Sequence, residues 1–231
     1  MRLEKYLADC LQLSRSQIKK MISQKQVQVN GIYVKNSVNV NAKDEIKVND
    51  EIIEYTEFQY YILNKPQGVV CANEDAKHPT IFDLMNLNKN KYFSFGRLDK
   101  DTEGLLIVSN DGKLLHELLN PKKHVKKTYY LEVNKPINDD INEKISSGID
   151  IGEKKLTLPA EFVFKDKQSG FLTISEGKFH QVKRMMEFFD LKVTFLKRTK
   201  FGNLKLPSDL NPGEFRLLTT EEVEILKKTS L

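Results

Sequence analysis

Residues 96–106 read Gly96-Arg97-Leu98-Asp99-Lys100-Asp101-Thr102-Glu103-Gly104-Leu105-Leu106. Carboxylates and an arginine lie between two glycines, and Leu105-Leu106-Ile107-Val108 follows as an apolar run of strand length, closed by Asn110-Asp111-Gly112. A glycine at each end lets the backbone turn tightly or approach another surface, and the strand behind supplies a rigid mount. Such a loop can present Asp99 outward with Arg97 near enough to favour its ionised form. On composition alone a polar turn with a solvated salt bridge reads equally well, and Asp99 with Asp101 can also be read as a pair of metal ligands.

The chain of 231 residues has room for one medium domain and a small one. With 39% hydrophobic and 30% charged residues it has the composition of a soluble globular protein, and no apolar run approaches the roughly 20 residues that cross a bilayer. The start Met1-Arg2-Leu3-Glu4-Lys5 lacks the apolar centre of a signal peptide. Cys10 and Cys71 stand alone without metal spacing and the four histidines are scattered, so free thiols in a reducing cytoplasm and no metal site are expected. The net charge of +5 is unevenly spread: residues 1–43 carry eight Lys/Arg against two acids, while the remainder is close to neutral. A basic end on a neutral body suggests a polyanion-binding module beside something else.

That end predicts a short helix over 2–11, from Leu3, Tyr6, Leu7 and Leu11, and a second opened by Ser14, whose hydroxyl and Gln17 three residues later make a capping box. Ile18, Met21 and Ile22 form its buried stripe and leave Arg15, Lys19 and Lys20 on other faces. Val27-Gln28-Val29, the turn Asn30-Gly31 and Ile32-Tyr33-Val34 predict a hairpin, and Val38 with Val40, then Ile46 with Val48, alternate like further strands. Residues 49–58 hold four acids and no base and read as a linker.

From Tyr60-Tyr61-Ile62-Leu63 a new domain begins with a strand, turning at Asn64-Lys65-Pro66-Gln67-Gly68 and resuming at Val69-Val70-Cys71. Thr80 caps a short helix, and Lys113–Leu119 makes another. The basic run Lys122–Lys127 leads into the strand Thr128–Val133, a setting that suits RNA because phosphates take the charge and bases stack on rings. Strands follow at Ala160–Phe164 and Gly170–Ile174. Ser175-Glu176-Gly177-Lys178-Phe179-His180-Gln181-Val182-Lys183-Arg184-Met185-Met186 then reads as strand, glycine turn and helix. Lys183 and Arg184 in the first turns of that helix oppose its dipole, so something else must favour them. Leu191–Leu196 is another strand, Lys197-Arg198-Thr199-Lys200 continues a basic surface, and Thr219 with Glu222 caps the last helix.

Residues 1–48 resemble the S4 RNA-binding domain, through Arg2-Leu3, Ser14-Arg15-Ser16 and Val27-Gln28-Val29-Asn30-Gly31. The strings Leu63-Asn64-Lys65-Pro66, Gly96–Leu105, Lys127-Thr128-Tyr129 and Glu176–Met185 resemble, in order, the catalytic domain of pseudouridine synthases of the ribosomal small-subunit type. Glu103, where a small hydroxyl residue is expected, and Asp190, at a helix end where members often have glycine, depart from that pattern. The resemblance implies an α+β fold: an S4 domain (1–48), a linker (49–58) and a catalytic domain (59–231) with a mixed, largely antiparallel central sheet flanked by helices.

It also implies the chemistry. Asp99 is the essential catalytic residue, Tyr129 stacks on the uracil and assists late proton transfers, and Lys183 pairs with Asp99, with Arg184 as the alternative one position on. Arg97, Leu98, His180, Gln181 and Arg184 bind the RNA at the site, and Arg15, Lys19 and Lys20 bind its phosphates from the S4 domain. Isomerising a uridine is redox-neutral and needs no external nucleophile, so no cofactor is expected. The expected partner is ribosomal RNA or an assembling small subunit, met by a cytoplasmic monomer with no membrane contact. The target implied is one uridine of 16S ribosomal RNA, of the uridine-516 type. The alternatives are a large-subunit 23S enzyme, a non-catalytic S4-type assembly factor, and a metal-dependent nuclease using Asp99 and Asp101.

Overall fold

Leu3, Tyr6 and Leu7, spaced to one helical face, are buried along α1 (Leu3–Leu11), and Ile18 and Ile22 do the same for α2 (Arg15–Ser23). The Ser14 capping box forms as the sequence predicts: the hydroxyl accepts from the Gln17 N–H, and the Gln17 side chain accepts from the Ser14 N–H. These helices pack on a small antiparallel sheet of β1 (Val27–Val29), β2 (Ile32–Tyr33), β3 (Ile46–Val48) and β4 (Glu51–Ile52), in the order β2-β1-β3-β4. The β1–β2 turn has both Asn30 and Gly31 at positive φ, the backbone that an Asn-Gly hairpin favours. This computed structural model describes residues 1–11, 13–41 and 43–229.

Two expectations for this region change. Val38 and Val40 do not belong to a strand, because Asn39 makes only an isolated bridge to Arg2. Residues 49–58 are not a free linker: β4 pairs with β3, the Tyr6 hydroxyl donates to Ile53 O at 2.6 Å, and the Tyr6 and Tyr55 rings lie 5.0 Å apart. The acids that made this stretch read as a linker are edge and surface positions around buried anchors. The chain accordingly divides into compact units at Met1–Gln59 and Tyr60–Leu231.

The second unit is built on a mixed sheet, introduced along the chain as β5 (Tyr60–Lys65), α3 (Ile81–Met85), β6 (Phe93–Ser94), β7 (Glu103–Ser109), α4 (Gly112–Leu119), β8 (Lys127–Val133), α5 (Ile141–Ile145), β9 (Glu161–Asp166), β10 (Ser169–Ile174), α6 (Gln181–Glu187), β11 (Val193–Phe201), β12 (Leu204–Lys205), β13 (Phe215–Leu217) and α7 (Thr220–Lys228). Its path is β13-β5-β7-β11-β8-β10-β9, with β6 on β7 and β12 on β11. Among the described residues every pair is antiparallel except β7 with β11.

The unbroken apolar run 105–108 follows from the place of β7 in this sheet. Leu105 and Ile107 pack with Leu114 and Leu118 of α4 and Leu226 of α7, while Leu106 and Val108 pack in the other core with Ile81, Ile141 and Met185. A strand covered on both faces needs no polar alternation. Thr80 with Asp83 and Thr219 with Glu222 form full capping boxes. Val69–Cys71 does not resume as a strand; Val70 makes one parallel bridge to Thr80. Asp190, at the helix end where glycine is usual, takes φ +57 and pairs with Lys135 at 2.6 Å, so the left-handed turn is kept by a residue that tolerates it less well than glycine.

Candidate active site

Gly104 stands at the register point where β7 meets β11, opposite Arg198, with φ +106. A Cβ there would run into the Arg198 backbone, so only glycine lets the loop before it close onto the sheet. That loop is then tied from beneath by a residue placed by sequence in a simple turn. Lys65 is fully buried, and its ammonium donates to Pro66 O (3.0 Å), Asp99 O (3.0 Å) and Thr102 O (2.9 Å). Burial pushes this lysine below its ordinary pKa, but these three carbonyls, with Lys100 O at a longer 3.5 Å, satisfy its three donors. The loop is fixed further by Thr102 N–H to Asp99 O (3.1 Å), Gly68 N–H to Lys100 O (2.8 Å) and Leu98 N–H to Cys71 Sγ (3.3 Å).

The Asp99 side chain is held from outside by α6. Lys183 Nζ donates to Asp99 Oδ2 at 3.2 Å and to Asp101 Oδ1 at 2.6 Å, and His180 Nε2 lies 3.6 Å from Asp99 Oδ1. The ammonium therefore occupies the position between the two carboxylates that a shared metal ion would take. Burial works against both ends of the Lys183–Asp101 pair, yet the hydrogen bonds and mutual charge prevail: the lysine lies above its usual value and Asp101 below its own. The dipole-opposed position of Lys183 is thus explained by the two carboxylates across from it.

A cavity of about 620 Å³ opens beside Asp99, lined among others by Arg97, Leu98, Tyr129, Lys127, His180 and Arg198. Tyr129 is the β8 ring that faces it; Tyr130 points to the opposite face and packs on Phe171 and Phe195. Arg97 is exposed and lines the cavity. Phe179, 74% exposed, stacks on the His180 ring at 3.8 Å between centroids.

Two of the residues expected to contact RNA are engaged within the protein. Arg184 points away from Asp99, its guanidinium taken by Glu153 Oε1 (2.8 Å) and the carbonyls of Phe179 and Ile151. Gln181 is buried, accepting from Lys178 N–H and donating to Glu176, so it shapes the turn before α6. Leu98 is largely buried beneath the loop and also lines the cavity. Arg15, Lys19 and Lys20 are exposed on α2, in the first unit.

Sequence reasoning missed Lys65 and Arg198. Arg198, assigned to a basic surface, is 1% exposed. The available signal was alternation: two positions after the buried Leu196 on the same strand, it falls on the same face. For Lys65 the signal was its place at the end of a strand that is buried at every position.

A mixed sheet beside a cavity with a lysine-clamped aspartate, preceded in the chain by a small helix-and-sheet unit, is the setting of an enzyme site. The model of the RNA pseudouridylate synthase family matches residues 59–188, and that of the S4 domain matches residues 1–46. The chain belongs to this family and is an RNA pseudouridine synthase, an isomerase, with an S4 domain at its N-terminus. It is 42% identical to ribosomal small subunit pseudouridine synthase A of Haemophilus influenzae, across 99% of this chain and all of the relative. It is 40% identical to an uncharacterized RNA pseudouridine synthase, YtzG, of Bacillus subtilis, over 99% of each chain. A crystal structure of a pseudouridylate synthase, 41% identical, superimposes with a TM-score of 0.69 over 98% of this chain and 99% of that one. Among the described residues no helix is long and apolar enough to cross a membrane.

Proposed function

We propose that the enzyme isomerises a single uridine of 16S ribosomal RNA, of the uridine-516 type, with Asp99, Tyr129 and Lys183 as its catalytic residues. The observation that carries the site assignment is the Asp99 carboxylate held by Lys183 at the wall of a nucleotide-sized cavity. The small-subunit target is supported by the name of the Haemophilus influenzae relative, aligned along its whole length. The target base must leave its stack to be reached. Asp99 then either attacks C1′ or removes a sugar proton, breaking the N1–C1′ bond. The uracil turns against the Tyr129 ring and rejoins through C5, and the C5 proton is lost as N1 gains one. Lys183 sets a positive charge 3.2 Å from the Asp99 carboxylate in a site from which substrate excludes water. The enzyme meets ribosomal RNA, free or in an assembling small subunit, as a monomer in the cytoplasm.

The test is to incubate the purified protein with unmodified small- and large-subunit transcripts and map pseudouridine in each. One modified uridine in the small-subunit transcript, abolished by Asp99→Asn while RNA binding survives, is expected. A site in the large-subunit transcript alone overturns the target, and substantial turnover by Asp99→Asn overturns the assignment of Asp99.

A further inference from the structure

Arg198 lies buried against the cavity without a carboxylate among the described residues. Its Nε donates to Leu105 O at 2.8 Å, and its Nη2 is buried with no partner. Buried arginines are ordinarily paired, because an uncompensated charge away from water is costly. A second cation stands beside it. Lys127 lies on the neighbouring strand opposite Phe201, and a register shift between Arg198 and Lys200 brings Arg198 to the same ring. Lys127 Nζ and Arg198 Cζ lie 5.7 and 5.5 Å from the Phe201 centroid. Burial and the Arg198 charge push Lys127 down to about 8.

The carboxylates that line the cavity are already engaged. Asp99 is held by Lys183, and Glu176 accepts from Leu158 N–H and Gln181 Nε2, both at 2.9 Å. Lys183 does not line this cavity; Lys127 and Arg198 do. Lys127 Nζ uses one donor on Val125 O at 2.9 Å, and the carboxylate that acts on it, Glu176, is bonded elsewhere, so two desolvated cations keep spare donors that an anion completes.

We propose that Lys127 and Arg198 form a phosphate subsite that holds a phosphodiester group flanking the target uridine. The cavity has the volume of one nucleotide site, with the base against Tyr129 and Asp99 and a backbone phosphate on the two cations. The subsite rests on the reading of Asp99 as the reaction centre, and it gives the flipped nucleotide a second anchor besides its base. Orthophosphate offers the same chemistry, so the test separates the two sources.

The experiment uses short RNAs carrying the mapped uridine, with a neutral methylphosphonate at either flanking linkage, bound to the full-length Asp99→Asn protein so that no turnover intervenes. At one linkage the neutral group is expected to weaken binding at least about tenfold. Combined with Lys127→Met or Arg198→Lys, the same replacement is expected to cost less than about twofold, because the partner charge or its fork is already gone. Lys127 is partly exposed and its variant keeps the aliphatic stem, so the test does not depend on the buried arginine tolerating change. An equal penalty in all proteins, or none at either linkage, overturns the proposal. Inorganic phosphate is titrated against labelled RNA at constant ionic strength; displacement by phosphate together with no methylphosphonate effect assigns the cations to a free anion and overturns the backbone reading. Pseudouridine formation by the protein without the Asp99 change is scored separately, so loss of the Asp99 reading and loss of the subsite remain distinct results.

Discussion

Lys65→Met removes the ammonium that ties the catalytic loop and keeps most of the apolar stem. Three hydrogen bonds from a charged donor, at 2.9 to 3.0 Å, are each worth about 1.5–3 kcal/mol. Burying the ammonium itself costs several kcal/mol, so the net loss of stability should be about 2–4 kcal/mol rather than the sum of the bonds. The larger effect is geometric. Asp99 O and Thr102 O both lose their anchor, and a misplacement of about 1 Å at a reacting group costs on the order of 100-fold in rate, equivalent to about 2.7 kcal/mol of barrier. Because Lys65 does not line the cavity, RNA affinity should stay within about threefold. Single-turnover rates at saturating RNA, a binding isotherm and a urea melt measure the three quantities. A saturated rate within about twofold of the unsubstituted enzyme, with an unchanged urea midpoint, would refute the argument that this lysine positions Asp99.

Lys183→Ala should slow the saturated single-turnover rate severely with little change in the salt dependence of binding, whereas Asp101→Asn, which leaves the Lys183–Asp99 bond in place, should cost less than about tenfold; parallel kinetics on one transcript compare them. The triple change of Arg15, Lys19 and Lys20 to Ala should lower the salt slope of binding by roughly 0.7–0.9 for each phosphate no longer neutralised and leave the saturated rate intact, as binding across a salt series beside single-turnover assays would show. Glu222→Gln should destabilise the protein by about 1–2 kcal/mol at neutral pH by weakening the cap and the Arg216 pair. Arg216 and the Thr219 cap outweigh burial and hold the Glu222 carboxyl below its usual value, so its contribution is complete above the ordinary glutamate range and fades as pH falls through the lowered value. Urea melts between neutral and acid pH should therefore show the gap between the two proteins closing on the acid side.

The features legible in the sequence were those whose causes are local. A capping box needs a hydroxyl and an acceptor three residues apart, and Ser14 with Gln17 and Thr219 with Glu222 form as written. The Asn30-Gly31 hairpin and the doubly buried 105–108 strand follow likewise from short-range sterics and hydrophobicity. The likeness of the 96–106 and 175–186 strings to one enzyme family also told that Lys183 would meet Asp99, across 84 residues of chain. Periodicity alone carried no trace of it.

What only the tertiary structure decided is which charged side chains are surface and which are internal. Lys65 finds Asp99 and Thr102 34 and 37 residues away, and Arg198 finds Leu105 across 93. Sequence patterns report the face on which a residue falls. They do not report whether distant carbonyls converge to satisfy a buried cation, and without such acceptors a lysine or arginine belongs in water. Residues 49–58 make the same point in reverse, since their acids spoke for solvent while Ile53 and Tyr55 were held by Tyr6. Composition averages over such a stretch, whereas folding is decided by the few side chains that find a partner.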